Sequence, residues 1–196
     1  MISVITPESD AQLDQVRGLI HEFVDWLRQH HPDHLHVINE YFEGSEFKHE
    51  LDTLPGRYSA PEGCLLLALD DNQPAGCIAF RKLDEHICEM KRLFVPVQFQ
   101  RRGIGQTLTK MLIQKAREIG YSKMRLDTGI FQSEAQELYK KLGFRGIEPY
   151  YSPSKTLEDG LIFMELDLQV NHLGTDNTQE RCHSPIFVRH SAECSG

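Results

Sequence analysis

No uninterrupted apolar run in the 196 residues approaches the roughly 18 that a membrane helix requires. The opening Met1-Ile2-Ser3-Val4-Ile5-Thr6-Pro7 lacks the basic start and long apolar stretch of a secretory signal, and it reads as a first strand. The five cysteines (Cys64, Cys77, Cys88, Cys182, Cys194) form no Cys-x-x-Cys and are odd in number, which favours reduced thiols in a cytoplasm over a disulfide framework. Positive charge is scarce: 21 Lys and Arg against 29 Asp and Glu leave a formal net charge of −8. That argues against nucleic acid as the main partner, because phosphate contacts supply most of such affinity. With 40% hydrophobic and 26% charged residues, the chain is otherwise ordinary for one globular domain with a full core.

The most informative stretch is Val95-Pro96-Val97-Gln98-Phe99-Gln100-Arg101-Arg102-Gly103-Ile104-Gly105-Gln106. It leaves an apolar strand, turns through two arginines and two glycines, and opens an amphipathic helix. Free backbone N–H groups and the positive end of a helix dipole then converge on one spot, which suits a pyrophosphate. A nucleotide-triphosphatase loop would need Lys-Ser or Lys-Thr after the glycines, and none follows here. A dinucleotide fingerprint would need a third glycine where Leu108 stands, and an early strand–helix unit in place of a mid-chain loop. A simple tight turn would not call for two flanking arginines and a helix start. Lys91 and Arg92 are expected to join Arg101 and Arg102 in a local basic cluster at this loop.

Gln100-Arg101-Arg102-Gly103-Ile104-Gly105 is similar to the Q/R-x-x-G-x-G/A pattern of the GNAT superfamily of acyl-CoA-dependent N-acyltransferases. Cys88 to Val95 resembles that family's fourth strand and Met124 to Thr128 its fifth. Ala135-Gln136-Glu137-Leu138-Tyr139-Lys140-Lys141-Leu142-Gly143-Phe144 resembles its helix-to-strand signature A-x-x-L-Y-x-x-x-G-F, and Phe163 to Leu168 its closing strand. The likeness covers roughly residues 60 to 168, with residues 1 to 59 matching in outline. It implies a mixed α/β fold: a twisted, mostly antiparallel central sheet flanked by helices, with a splayed strand pair at the coenzyme A site.

The periodicity supports that layout. Asp10 is the expected N-cap of a long helix with Leu13, Val16, Ile20, Phe23, Val24 and Leu27 on one face, ending near His30-His31-Pro32. A second helical piece is expected over Val37 to His49. Strands follow at Cys64–Leu69, Ala75–Leu83 and Glu89–Val95. A helix with Ile104, Leu108, Met111, Leu112, Ala116 and Ile119 on its apolar face should end at Gly120. Ser133 and Gln136 suggest a capping box for the helix that carries Tyr139. One domain over residues 1–168 is expected, with residues 169–196 as an aperiodic tail, mobile or loosely docked.

Amide formation from a thioester requires deprotonation of an amine, stabilisation of the carbonyl oxygen and neutralisation of a departing thiolate. The resemblance assigns backbone N–H groups of Leu93, Phe94 and Val95 to the pantetheine arm and thioester oxygen. Gln100, Arg101, Arg102, Gly103, Ile104, Gly105 and Gln106 are assigned to the pyrophosphate. It places Glu89 as general base and Tyr139 as acid for the thiolate. Desolvation on the strand would raise the Glu89 pKa, whereas pairing with Lys91, Arg92 or another basic side chain would make it structural. Tyr139 could equally fill a gap between helix and sheet. His30, His31, His34 and His36 read as a polar interhelical loop, since their string matches no compact zinc pattern, and no metal is expected. Cys88 reads as a small buried strand residue, because only His86 is near enough in sequence to activate it. Tyr150 and Tyr151 either contact the acceptor or pack their loop.

The expectation is therefore an N-acetyltransferase that passes an acetyl group from acetyl-CoA to a primary amine, small-molecule or peptide, by direct attack in a ternary complex. The alternative is a non-catalytic acyl-CoA-binding sensor. The resemblance is compatible with a homodimer.

Overall fold

The computed structural model describes residues 1–169. The first long helix forms because apolar residues recur at its period: Leu13, Val16, Leu19, Ile20, Val24 and Leu27 are all buried on one face of α1 (Asp10–His30). Its N-cap is Ser9 and not Asp10. The Ser9 hydroxyl accepts from the Gln12 amide and the Gln12 side chain accepts from the Ser9 amide, a reciprocal capping box that leaves Asp10 free in the first turn. The expected second helix is two, α2 (Leu35–Phe42) and α3 (Ser45–Asp52). Gly44 divides them, serving as N-cap of α3 in extended backbone.

The sheet contains β1 (Ile2–Ile5), β2 (Cys64–Asp70), β3 (Gln73–Lys82), β4 (Ile87–Phe94), β5 (Lys123–Gly129), β6 (Arg145–Ile147) and β7 (Leu161–Asp167). Between strands lie α4 (Ile104–Ile119), α5 (Ser133–Lys141) and the short α6 (Lys155–Gly160). The spatial order is β1-β2-β3-β4-β5-β7-β6, and only the β4–β5 pair is parallel. The mixed, mostly antiparallel sheet is therefore as the resemblance implied. The short β6 was not anticipated, because three residues carry too little alternation to register as a strand.

Both sheet faces are covered, so alternate side chains sort into two cores. Leu66, Ala68, Ile78 and Phe80 pack with Leu108, Leu112 and Ala116 of α4. Leu65, Leu67, Cys77 and Ala79 pack with Val16, Leu19 and Ile20 of α1. Each large side chain buried this way contributes about 1.5–3 kcal/mol. Met111 and Ile119 are exposed at the margins of α4, where the expected apolar face proved wider than the one that packs. The Ser133–Gln136 capping box does not form. Gln132 is the N-cap of α5 but its side chain makes no capping bond, while the Gln136 side-chain Nε2 donates to the carbonyls of Gly129 and Ile130.

Two irregularities shape β4. Its pairing with β3 slips, so that Cys77 faces Phe94 but Ala79 faces Lys91, putting one extra residue on β4. Arg92 within that bulge has φ +60°, a left-handed conformation costing a non-glycine residue about 1–2 kcal/mol. Gly76 lies opposite, and a Cβ there would come within 2.9 Å of the Phe94 carbonyl oxygen, so the close approach requires glycine. On its other side β4 pairs with β5 only at Ile87↔Lys123, Cys88↔Met124 and Glu89↔Arg125. Beyond Glu89 the two strands part.

Candidate active site

The parting of β4 and β5 opens a cleft lined by Met90 to Leu93 on one strand and Leu126 to Gly129 on the other. Phe23 and Leu27 of α1, with Val37, Ile38, Tyr41 and Phe42 of α2, wall one side, and Tyr139 of α5 lines it as well. At the cleft's end of β4 lies the arginine–glycine loop. Arg101 (φ +59°) and Gly103 (φ +78°) turn the chain into α4, whose N-terminus has no side-chain cap. Its first-turn amides are thus the unsatisfied donors that an anion needs. Gly105 fits between Val95 and Leu138, and the Gln100 amide donates to the Val95 carbonyl at 3.0 Å, fixing the loop to the strand end. Arg101 is exposed, and Arg102 donates to Asp70 at 2.8 Å.

Lys91 and Arg92 do not join that basic cluster. Arg92 is the bulged residue and Lys91 precedes it, and each is engaged with a buried carboxylate. Lys91 Nζ reaches both Asp127 oxygens at 2.9 Å and the Tyr41 hydroxyl at 2.6 Å, and lies 3.1 Å from Glu89 Oε1. Arg92 makes a two-pronged contact with Glu50 of α3, at 2.6 and 3.0 Å. Consecutive residues of a regular strand face opposite ways; the extra residue at Arg92 breaks that alternation, and both side chains end buried, where desolvation enforces pairing.

Glu89 is 1% exposed. Its partners are Arg81, directly across from it on β3, at 2.6 Å; Lys91; and the Tyr150 hydroxyl, which donates to it at 2.6 Å. Asp127, which sequence reasoning passed over, is just as closely held. It accepts from Lys91, Tyr41 (2.7 Å) and Tyr151 (2.9 Å). Adjacent tyrosines of the loop before α6 therefore reach one carboxylate on each of the two parting strands. Burial alone would push the Asp127 pKa up, but Lys91 and then the tyrosine hydroxyls more than reverse this and hold it below 3.8. Glu50 behaves alike: burial raises it, and Arg92 brings it below its ordinary 4.5.

Carboxylates depressed on folding contribute stability that is fully present above their unfolded pKa values and is lost as pH falls through the folded ones. Urea unfolding followed from about pH 7 to about pH 3 should show a constant midpoint until about pH 4.5 and then a steep fall. An Asp127→Asn variant should show a shallower fall.

Tyr139 is buried, its ring 5.8 Å from Phe144 of the same signature. Burial, and then the Asp127 charge, push its phenol well above the usual value of 10, so it remains protonated. Leu93 and Val95 pack against the α4 core, while Phe94 points to the α1 side, 5.3 Å from Phe23. Cys88 is fully buried and its thiol is pushed up to about 12 by desolvation, so it is inert as a nucleophile. The histidine string is less polar than its composition suggested: His34 stacks on Phe131 and His31 packs against the same ring at a tilt, each with ring centroids 4.8 Å away. Among the described residues no group of three or more His, Cys, Asp or Glu side chains could hold a metal ion, and no helix is long and apolar enough to cross a membrane.

This arrangement can be set against known proteins. The chain is 28% identical over 205 aligned positions to an uncharacterized N-acetyltransferase of Dictyostelium discoideum, covering 74% of this chain and 90% of that one. It is 40% identical over 97 positions to an uncharacterized N-acetyltransferase of Schizosaccharomyces pombe, covering 48% of this chain and 60% of the other. The PaiA N-acetyltransferase of Thermoplasma acidophilum, solved in complex with coenzyme A, shares the fold with a TM-score of 0.65 at 18% identity, over 85% of this chain and 99% of that one. The sequence model of the acetyltransferase (GNAT) family matches residues 19–144, from within α1 to the glycine–phenylalanine pair after α5, and the chain belongs to that family of acyl-CoA-dependent N-acyltransferases.

Proposed function

We propose that the protein transfers an acetyl group from acetyl-CoA to a primary amine by direct attack in a ternary complex. The observation that carries this reading is the cleft where β4 leaves β5, with unpaired strand backbone along it, an uncapped helix N-terminus at its end and Tyr139 in its lining. Acetyl-CoA supplies the activated thioester. The Thermoplasma neighbour was solved with coenzyme A, which supports the choice of donor.

In this reading the amides of Ile104, Gly105 and Gln106, with Gln100, Arg101, Arg102 and Gly103 shaping the turn, hold the pyrophosphate. The free edge of β4 at Leu93, Phe94 and Val95 receives the pantetheine arm and stabilises the carbonyl oxygen as charge develops. Tyr139 donates to the departing thiolate. Glu89 takes the amine's proton through a water: its ion pairs with Arg81 and Lys91 and its bond from Tyr150 give it a structural role as well, and it does not itself line the cleft. The acceptor enters from the α1–α2 side, under the Tyr150–Tyr151 loop.

Release of coenzyme A thiol in the presence of acetyl-CoA and a panel of polyamines, amino acids, aminoglycosides and peptide N-termini tests this reading. Thermal unfolding with acetyl-CoA should run in parallel, beside ATP and NAD controls. Amine-dependent thiol release is expected. So is a stabilisation of about 2.7 kcal/mol at a hundred times the Kd, confined to acetyl-CoA and coenzyme A. A thermal midpoint unmoved by millimolar acetyl-CoA would end the reading.

A further inference from the structure

Arg92 stands where β4 departs from regular pairing with β3, and it does so with a left-handed backbone although it is not glycine. Its carbonyl accepts the Cys77 thiol at 3.3 Å. Its side chain reaches away from the strand to a socket built by other elements. Glu50 of α3 grips the guanidinium, and the rings of Phe42 and Phe47 lie 5.6 and 4.9 Å from its centre. Arg92 and Glu50 side chains are each 7% exposed, so neither charge has water as an alternative partner.

The next residues along the chain are Leu93 to Val95. Leu93 and Val95 are two residues apart, so their amides share one edge of the chain while Phe94 faces Cys77 of β3, and the extra residue at Arg92 sets which edge that is. Without a partner the guanidinium would have to leave its socket for water, since an isolated buried charge is far costlier than a paired one. The backbone would be drawn back toward the ordinary extended form, which residues other than glycine prefer. Glycine at this site would adopt the turn but would not be confined to it.

We propose that Glu50 and Arg92 are positioning residues: by gripping the Arg92 side chain, α3 holds the β4 bulge in the turn that aims the Leu93–Val95 amides at the thioester arm of the donor. The proposal rests on the acetyl-CoA reading above. It also joins α2 and α3 to the donor side of the cleft, so that the helical wall and the amide row move as one piece.

The test compares two ligands on the whole chain: acetyl-CoA, and 3′-phospho-ADP, which carries the nucleotide and pyrophosphate but no pantetheine arm. Glu50→Gln removes the charge with little change of shape. Arg92→Lys keeps the charge but loses the two-pronged grip. Folding of each is checked by circular dichroism, and affinities are measured by calorimetry or competition. Either folded variant should bind acetyl-CoA about tenfold more weakly, the loss of roughly one well-made hydrogen bond, with 3′-phospho-ADP affinity within about twofold of wild type. Equal weakening for both ligands would reveal general destabilisation and overturn the proposal, as would wild-type acetyl-CoA affinity in both variants. Wild-type protein that binds neither ligand would remove the underlying donor reading, a result distinct from any change seen only in the variants.

Discussion

Tyr139→Phe should lower turnover by about 10² to 10⁴, close to 3–5 kcal/mol of barrier, while leaving coenzyme A affinity nearly unchanged. The substitution removes one oxygen and keeps the ring against Phe144, so the helix and its packing should survive. Burial and the nearby Asp127 charge hold the phenol in its protonated form, which makes it a donor at every working pH. A thiol has an unperturbed pKa of about 8.5, so a thiolate is less basic than a phenolate from this tyrosine. Full transfer of the proton would thus run uphill unless the hydroxyl is reprotonated in the same event. Much of the benefit should come from the hydrogen bond offered as sulfur gains charge. Single-turnover kinetics at saturating acetyl-CoA isolate that step, and a rate equal to wild type there would remove Tyr139 from the mechanism.

Lys91→Met should produce the largest loss of stability of any single change at the cleft. Burial alone would push the Lys91 ammonium toward neutrality, but Asp127 and Glu89 reverse this and keep it charged. Removing it leaves two buried carboxylates short of a cation, and breaking a buried pair in this way costs about 3–5 kcal/mol. For a chain of this size that is a drop in Tm of roughly 6–20 °C. A double variant, Lys91→Met with Asp127→Asn, should recover part of the loss, because the stranded charge is removed as well. Urea denaturation of the wild type, both single variants and the double variant gives the coupling directly. If Lys91→Met alone were to cost less than about 1 kcal/mol, the network would be a surface-like pair with no structural role.

The sheet, the helices and the arginine–glycine turn were legible because each is written locally. The unbroken apolar run of Cys64–Leu69 states a strand covered on both faces, the 3.6-residue period in α1 and α4 states which helix face is buried, and the glycines of the loop state where the chain turns. Caps were less legible, since Ser9 and Asp10 are both good N-caps and only the reciprocal contact with Gln12 decides between them. Partners of the buried charges were not legible. Glu89 and Lys91 on β4, and Arg125 and Asp127 on β5, are charged pairs two residues apart, which signals a common polar face. Which cation meets which anion depends on where the strands part, and on Arg81, Tyr41 and Glu50 arriving from β3, α2 and α3. The bulge left no local trace, because its conformation is held by contacts 42 residues away in sequence.

The eight residues of β4 have a consequence for how this protein can change. Glu89, Lys91, Arg92 and the start of the amide row all sit on one strand about 26 Å long, which runs on into the phosphate loop. Substitutions along it share partners, so their effects will not simply add. The walls supplied by α1 and α2 touch the cleft from separate elements, and the tyrosine loop reaches it through Asp127. Under the proposed reading, new acceptors are therefore more accessible by altering those walls one at a time than by any revision of the strand, which behaves as a single inherited part.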